Sequence, residues 1–170
     1  MKDPKETLQE IFERFDTQST VFIVHTGYAC RIAYQINLEN DFKYHIFYMQ
    51  GSMGLSPCIG LGLVLCNEKV NVVAINGDGG YMMHAGFGYV VANYQFQLRV
   101  NNFKQYLFDN HNCYESTGGQ SMDIEIRDDD YLPGVDYTYN VSSVKEIPDR
   151  VEIGPVENAY EIKEFVSRCL

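Results

Sequence analysis

The chain has 170 residues, of which 45% are hydrophobic, and a net charge of −10; this fits one globular domain, residues 1–170, able to bury roughly two-thirds of its unfolded surface. With 13 basic against 23 acidic residues, a nucleic-acid backbone is excluded as partner, since that needs clustered Lys and Arg. The five cysteines, Cys30, Cys58, Cys66, Cys113 and Cys169, are odd in number and form no Cys-x-x-Cys pair, which argues against a disulfide scaffold or zinc site and predicts reduced thiols in a cytoplasmic compartment.

In chain order, Asp3-Pro4 reads as an N-cap followed by proline in the first helical turn, and Leu8, Ile11, Phe12 and Phe15 give that helix one apolar face. The start of the chain, Met1 to Glu6, has no apolar signal core. Thr20 to Val24 reads as a β-branched strand, Tyr28 to Ile36 as a helix, and Tyr44 to Met49 as a second strand. Leu55 to Cys66 follows as a helix of small and aliphatic residues, then Val70 to Ile75 as a nearly continuous apolar strand. Tyr81 to Tyr94 reads as one helix, Tyr94 to Asn101 as a loop, and Phe103 to Phe108 as a fourth strand, although Lys104 and Gln105 are unusual in a buried parallel strand. Asp128-Asp129-Asp130 reads as a solvated turn, and Glu157 to Leu170 as a final amphipathic helix with Ile162, Phe165 and Val166 inward. No run approaches the ~20 apolar residues of a membrane span.

Strands separated by helices predict an α/β fold, a three-layer sandwich of a mostly parallel sheet with helices on both faces. In such sheets ligands gather beyond the carboxyl ends of the strands. Four motifs fall at such ends: Thr26-Gly27, Gly51-Ser52, Gly77-Asp78 and Asp109-Asn110. Gly77-Asp78-Gly79-Gly80 offers a carboxylate beside backbone that an anion can approach, and Asn110 offers an amide oxygen. Oxygen donors of this kind suit a hard divalent cation that also holds phosphate oxygens, and N–H groups at the start of a helix suit the phosphate itself. Basic side chains are scarce near these motifs, so metal and backbone dipoles must hold the anion. The four histidines show no His-Glu-x-x-His spacing; His45 and His84 read as core or surface residues, while His25 and His111 fall at the expected rim.

Gly51-Ser52-Met53-Gly54, Gly77-Asp78-Gly79-Gly80, Asp109-Asn110 and Glu115-Ser116-Thr117-Gly118-Gly119-Gln120, in that order, resemble the diphosphate-binding domain of thiamine diphosphate-dependent decarboxylases. Within that family the likeness is to the phosphonopyruvate and sulfopyruvate decarboxylase group, beta subunit in the latter, and it runs from about Val21 to Gln120. The resemblance implies thiamine diphosphate and Mg²⁺ as cofactors. It implies Asp78, Asn110 and the backbone carbonyl of Asn112 as metal ligands. Thr26, Gly27, Gly51, Ser52, Met53, Gly77, Gly79, Gly80 and Asn112 would then line the cofactor. Met53 would wedge between the two cofactor rings, and the carbonyl of Gly51 would accept a hydrogen bond from the cofactor amine. Glu115 is a candidate proton shuttle; Ser116, Thr117 and Gln120 fall on the substrate or diphosphate side.

Three departures accompany the resemblance. The stretch from Asp78 to Asn110 is longer than the family pattern, Gly80 stands where many relatives carry Ser or Ala, and no further strand follows the last helix. The family also needs a second, pyrimidine-binding domain that supplies a glutamate, and Glu6, Glu10 and Glu13 do not match its motif. The resemblance therefore implies a beta-type subunit that works with an alpha-type partner, as a hetero- or homo-oligomer, on a small anionic 2-oxo acid of the 3-substituted pyruvate class. Two rivals stay open: a carboligase of the acetolactate synthase type, and a non-catalytic homologue, which the polar strand 103–106 favours.

Overall fold

Val21, Phe22, Ile23 and Val24 are wholly shielded from solvent, as expected of a strand with neighbours on both sides and helices on both faces. They belong to β1 (Thr20–Val24) in the computed structural model of the chain, which describes residues 1–98, 101–109, 132–142 and 144–169, with side chains in the first stretch described as far as residue 94. The sheet contains β1, β2 (His45–Tyr48), β3 (Asn71–Gly77), β4 (Phe103–Asp109) and β5 (Tyr137–Asn140), in the order β2-β1-β3-β4-β5. Every pairing is parallel, so the carboxyl ends of all five strands share one rim.

Helices cover both faces. On one side, α1 (Pro4–Glu13) and α2 (Tyr28–Glu39) bring Leu8, Ile11, Phe12, Ala33 and Ile36 onto Phe22, Ile46 and Val73. Asp3 starts α1 by accepting hydrogen bonds from the backbone N–H of Lys5 (2.8 Å) and Glu6 (3.2 Å), which satisfies two donors of the first turn. On the other side, α3 (Ser56–Cys66), α5 (Ala85–Leu98) and α6 (Pro155–Arg168) pack Leu61, Val64, Val91, Ile162 and Phe165 on Val21, Val72 and Phe103. The three-layer α/β sandwich expected from the alternating pattern is the architecture observed.

The outer edge of β2 is covered by a side chain. Tyr48 N donates to Asn158 Oδ1 (2.9 Å), and Asn158 Nδ2 donates to the carbonyl of Ile46 (2.9 Å). Asn158 on α6 thus takes the place of a neighbouring strand. At the far side, Lys2 N donates to the carbonyl of Asn140 and Ser142 N donates to that of Lys2, both at 2.8 Å, so the N-terminus closes over the end of β5.

Three expectations are corrected. The single helix read over Tyr81 to Tyr94 is two helices, α4 (Asp78–Met83) and α5. The break falls at His84 (φ −131°, ψ 33°), where the backbone bonds tighten to His84 N–Tyr81 O (3.1 Å) and Phe87 N–His84 O (2.8 Å). Tyr94 to Leu98, read as loop, continues α5. Strand β5 was not foreseen, although Tyr137-Thr138-Tyr139-Asn140 alternates aromatic and polar residues. The polar stretch of β4 also has a local explanation. Asp136 accepts from Gln105 N (2.8 Å) and pairs with Lys104 Nζ (2.9 Å), so these residues fasten the segment leading into β5.

Candidate functional site

The strand order reverses between β1 and β3: from β1 the chain moves outward to β2, then returns to the other side of β1. A doubly wound sheet of this order opens a crevice beyond the carboxyl ends at that point. The register defines its shape. Val24 pairs with Ile75 and Ile75 with Tyr106, whereas Gly77 pairs with Phe108. β3 therefore projects two residues and β4 three past the end of β1, roughly 6–10 Å at strand rise.

His25-Thr26-Gly27 turns off the end of β1. The backbone N–H of His25 donates to the carbonyl of Ile75 (2.9 Å), holding its ring over Gly77, where a Cβ would stand 2.8 Å from His25 Cε1. Gly27 adopts φ 102° and precedes α2, a conformation that glycine supplies without strain. Desolvation lowers the His25 pKa from 6.5 to about 4, with the nearby Asp78 carboxylate and the Thr26 backbone opposing the change. His25 is therefore neutral near physiological pH.

Gly51 and Ser52 are exposed in the turn after β2, Met53 is half-buried and Gly54 buried. Ser52 has φ 56°, uncommon for a residue other than glycine, and its carbonyl accepts from Leu55 N (3.2 Å). Gly54 has φ 84°, and a Cβ there would run into the carbonyl oxygen of Gly80 and stand 2.5 Å from His84 Nδ1. The turn therefore lies directly on the start of α4. Met53 Cε lies 3.0 Å from where a Gly79 Cβ would be, so its side chain rests against the Asp78-Gly79 turn.

Asp78 opens α4, and its Oδ1 accepts from Gly79 N (2.6 Å). Behind it, Asn76 is 1% exposed. Its Oδ1 accepts from Gly77 N (3.1 Å) and lies 2.5 Å from where a Gly80 Cβ would stand. Asn76 thus shapes the Gly77–Gly80 turn, a role absent from the sequence reading. The signal was a single amide at the end of the apolar run Val72–Ile75.

The structure thus brings Thr26, Gly27, Gly51, Ser52, Met53, Gly77, Asp78, Gly79 and Gly80 to one rim. Asp109 is the last residue of β4, 1% exposed, and its carbonyl accepts from Val141 N (2.8 Å). Asn110, His111, Asn112, Glu115, Ser116, Thr117 and Gln120 lie outside the described residues. Away from the rim, a hollow of about 760 Å³ at the start of α6 is lined in part by Glu157, Glu161 and Glu164; three carboxylates make it unfavourable for an anion. His45 is half-buried and stacks on Phe165 (3.7 Å between centroids), and His84 is exposed. Cys30, Cys58, Cys66 and Cys169 are free thiols. Among the described residues no helix is long and apolar enough to cross a membrane.

Comparison with known proteins identifies the same region. Residues 25–146 match the family model described as thiamine pyrophosphate enzyme, C-terminal TPP binding domain. The chain is 38% identical over 111 residues to the sulfopyruvate decarboxylase subunit beta of Methanothermobacter thermautotrophicus, covering 65% of this chain and 55% of that one. It is 32% identical over 112 residues to the sulfopyruvate decarboxylase of Methanosarcina acetivorans, covering 62% and 26%. It is 35% identical over 95 residues to the phosphonopyruvate decarboxylase of Streptomyces hygroscopicus, covering 56% and 21%. The chain thus spans between a fifth and about half of the length of these relatives. With that match across most of its length, and with the matching glycine turns gathered at the switch point of a parallel sheet, the chain belongs to the family of thiamine pyrophosphate enzyme C-terminal TPP binding domains.

Proposed function

We propose that this chain is the beta-type subunit of a thiamine diphosphate- and Mg²⁺-dependent 2-oxo acid decarboxylase. Its substrate would be a 3-substituted pyruvate of the sulfopyruvate or phosphonopyruvate class, and its compartment the cytoplasm. One observation carries the reading: Met53 and Asp78-Gly79, distant in sequence, touch at the β1/β3 crevice. The donor set at this rim fits the cofactor. A carboxylate suits a hard divalent ion, and the backbone at Gly27 and Gly51 is open, with no atom within 4 Å of where a Cβ would stand.

In this reading Asp78, the amide oxygen of Asn110 and the backbone carbonyl of Asn112 hold Mg²⁺. Backbone N–H groups of Gly79 and Gly80, with Thr26 and Gly27 across the crevice, hold the diphosphate. Gly51 offers its carbonyl to the cofactor amine, Met53 supplies the apolar wedge, and Glu115 moves a proton. When bound, thiamine diphosphate supplies the electron sink for the pair left behind as CO₂ departs. The strained Ser52 backbone and the Gly54–Gly80 contact fix the Met53 turn in advance, and such preorganisation lowers the cost of binding. The alpha-type partner supplies the pyrimidine-side glutamate. A second subunit is supported by the name of the Methanothermobacter relative and by the longer Methanosarcina chain.

Calorimetric titration tests the reading. Thiamine diphosphate should bind in a Mg²⁺-dependent manner, alone or with the partner, and Asp78→Ala should weaken binding by ~100-fold or more. Reconstituted with its partner, the chain should release CO₂ from sulfopyruvate or phosphonopyruvate. An absence of binding both with and without the partner would overturn the proposal.

A further inference from the structure

A carboxamide inside an apolar strand is costly unless its polar atoms are used. β3 is buried from Val72 to Gly77, and in that stretch only Asn76 carries a polar side chain. It follows Val72 and Ala74 on the face covered by α3 and α5, and at the strand end it lies beneath the turn that opens α4. Its Oδ1 meets this turn at two points. It accepts from the N–H of Gly77 and fills the space under Gly80. Other groups press on the turn as well: the His25 ring lies on Gly77, and Gly54 N is 3.3 Å from where a Gly80 Cβ would stand. Gly77 and Gly80 are both buried. Without Oδ1 the Gly77 N–H loses its partner, a void opens under Gly80, and the turn is free to sag inward onto the end of the strand.

We propose that Asn76 is a positioning residue, holding the Gly77–Gly80 turn in the shape that receives the diphosphate. It acts through the backbone, not by contact with the cofactor. The inference rests on the function proposed above and deepens it by naming what fixes the anion-binding backbone. A carboxylate side chain such as that of Asp78 can rotate to find a metal ion. Backbone N–H groups cannot, and they serve a phosphate well only when the turn already aims them at it.

Calorimetric titration of the full chain, with its partner subunit present, tests it, using Mg²⁺ with either thiamine diphosphate or inorganic pyrophosphate. Asn76→Ala should raise both dissociation constants at least ~10-fold, the scale expected when a group supporting a binding residue is removed. The two factors should be similar, because the turn serves the diphosphate half alone. Asn76→Asp keeps an oxygen acceptor of the same reach and should stay within ~3-fold of wild type. Asn37→Ala separates positioning from stability. Asn37 is also a buried carboxamide, and its side chain bonds the backbone of Tyr44 at the amino end of β2, away from the rim. Its loss should lower the melting temperature by roughly 3–8 °C, as should that of Asn76, yet leave both dissociation constants within ~2-fold. Should Asn76→Ala not fold, judged by circular dichroism, Asn76→Ser, whose hydroxyl is too short to reach beneath Gly80, carries the same comparison. Equal affinity of Asn76→Ala and wild type, or an equal loss in Asn37→Ala or Asn76→Asp, overturns the inference and leaves the proposed function standing. So does a loss confined to thiamine diphosphate, with pyrophosphate unaffected. If the wild type binds neither ligand, the proposed function falls and this role with it.

Discussion

The two helical layers are built differently. The α1/α2 layer ends at water: its inner side is a dense aromatic core, with Phe12 4.7 Å from Phe22 and 5.1 Å from Tyr44, and its outer side carries charge. The α3/α5 layer is apolar within and uncharged without. The same hydrophobic driving force acts on both, but only in the first is the outer side covered by charge. The comparison teaches that hydrophobic residues outside a fold are as specific a record as those inside it. They mark where another surface is expected.

Four experiments can break or sharpen that contrast. The largest effect should be in thiol chemistry. Burial raises the Cys30 pKa on α2 to about 12 against the opposing charge of Arg31, while Cys66 on α3 is exposed. An aqueous thiol reagent should label Cys66 at least ~1,000-fold faster than Cys30, read by peptide mass spectrometry; comparable rates would mean that the α2 layer opens readily. Next is Phe12→Ala, which leaves a cavity in a side chain's place that is 0% exposed and should cost ~3–5 kcal/mol in urea unfolding. Tyr89→Ala, at a side chain that is 69% exposed, should stay within ~0.5 kcal/mol of its parent.

Third, Asn158→Ala strips two backbone groups at the β2 edge of their partners and should cost ~2–3 kcal/mol, with faster amide exchange at Tyr48. The smallest effect concerns acid. Burial, followed by the charge of Arg168, lowers the half-buried His45 below its ordinary pKa of 6.5. The folded chain then binds this proton less readily than the unfolded chain, so the contribution is fully present above 6.5 and is lost as pH falls below it. His45→Phe keeps the ring on Phe165 and should lose less thermal stability than wild type between about pH 7.5 and 5.5.

Much of the fold was legible because the physics was local. β1 to β4, α1 to α3 and α6 carry their own periodicity or continuous apolar runs, and Asp3 announced its cap. What escaped reading depended on tertiary partners. The break at His84 lies in a stretch so uniformly apolar that no periodicity marks an end, and the turn around Gly54 that abuts it is a neighbour only in space. β5 is specified by Asp136 reaching Lys104 and Gln105 and by Lys2 closing over its end, contacts far apart in sequence. At the site, the glycine turns and Asp78 were found because glycine beside a carboxylate is conspicuous. Asn76 was not, since an amide within a strand carries no motif and its purpose shows only against the backbone of Gly77 and Gly80.

The side chain of Asn158 and the backbone of Lys2 have a consequence for growth. A parallel sheet with bare margins is a template on which further chains can add without limit. Here one margin is capped by a carboxamide and the end of the other by the chain's own first residues, so ribbon-wise polymerisation is discouraged at both limits of the sheet. A concentrated solution of this acidic protein should therefore stay clear rather than form fibres.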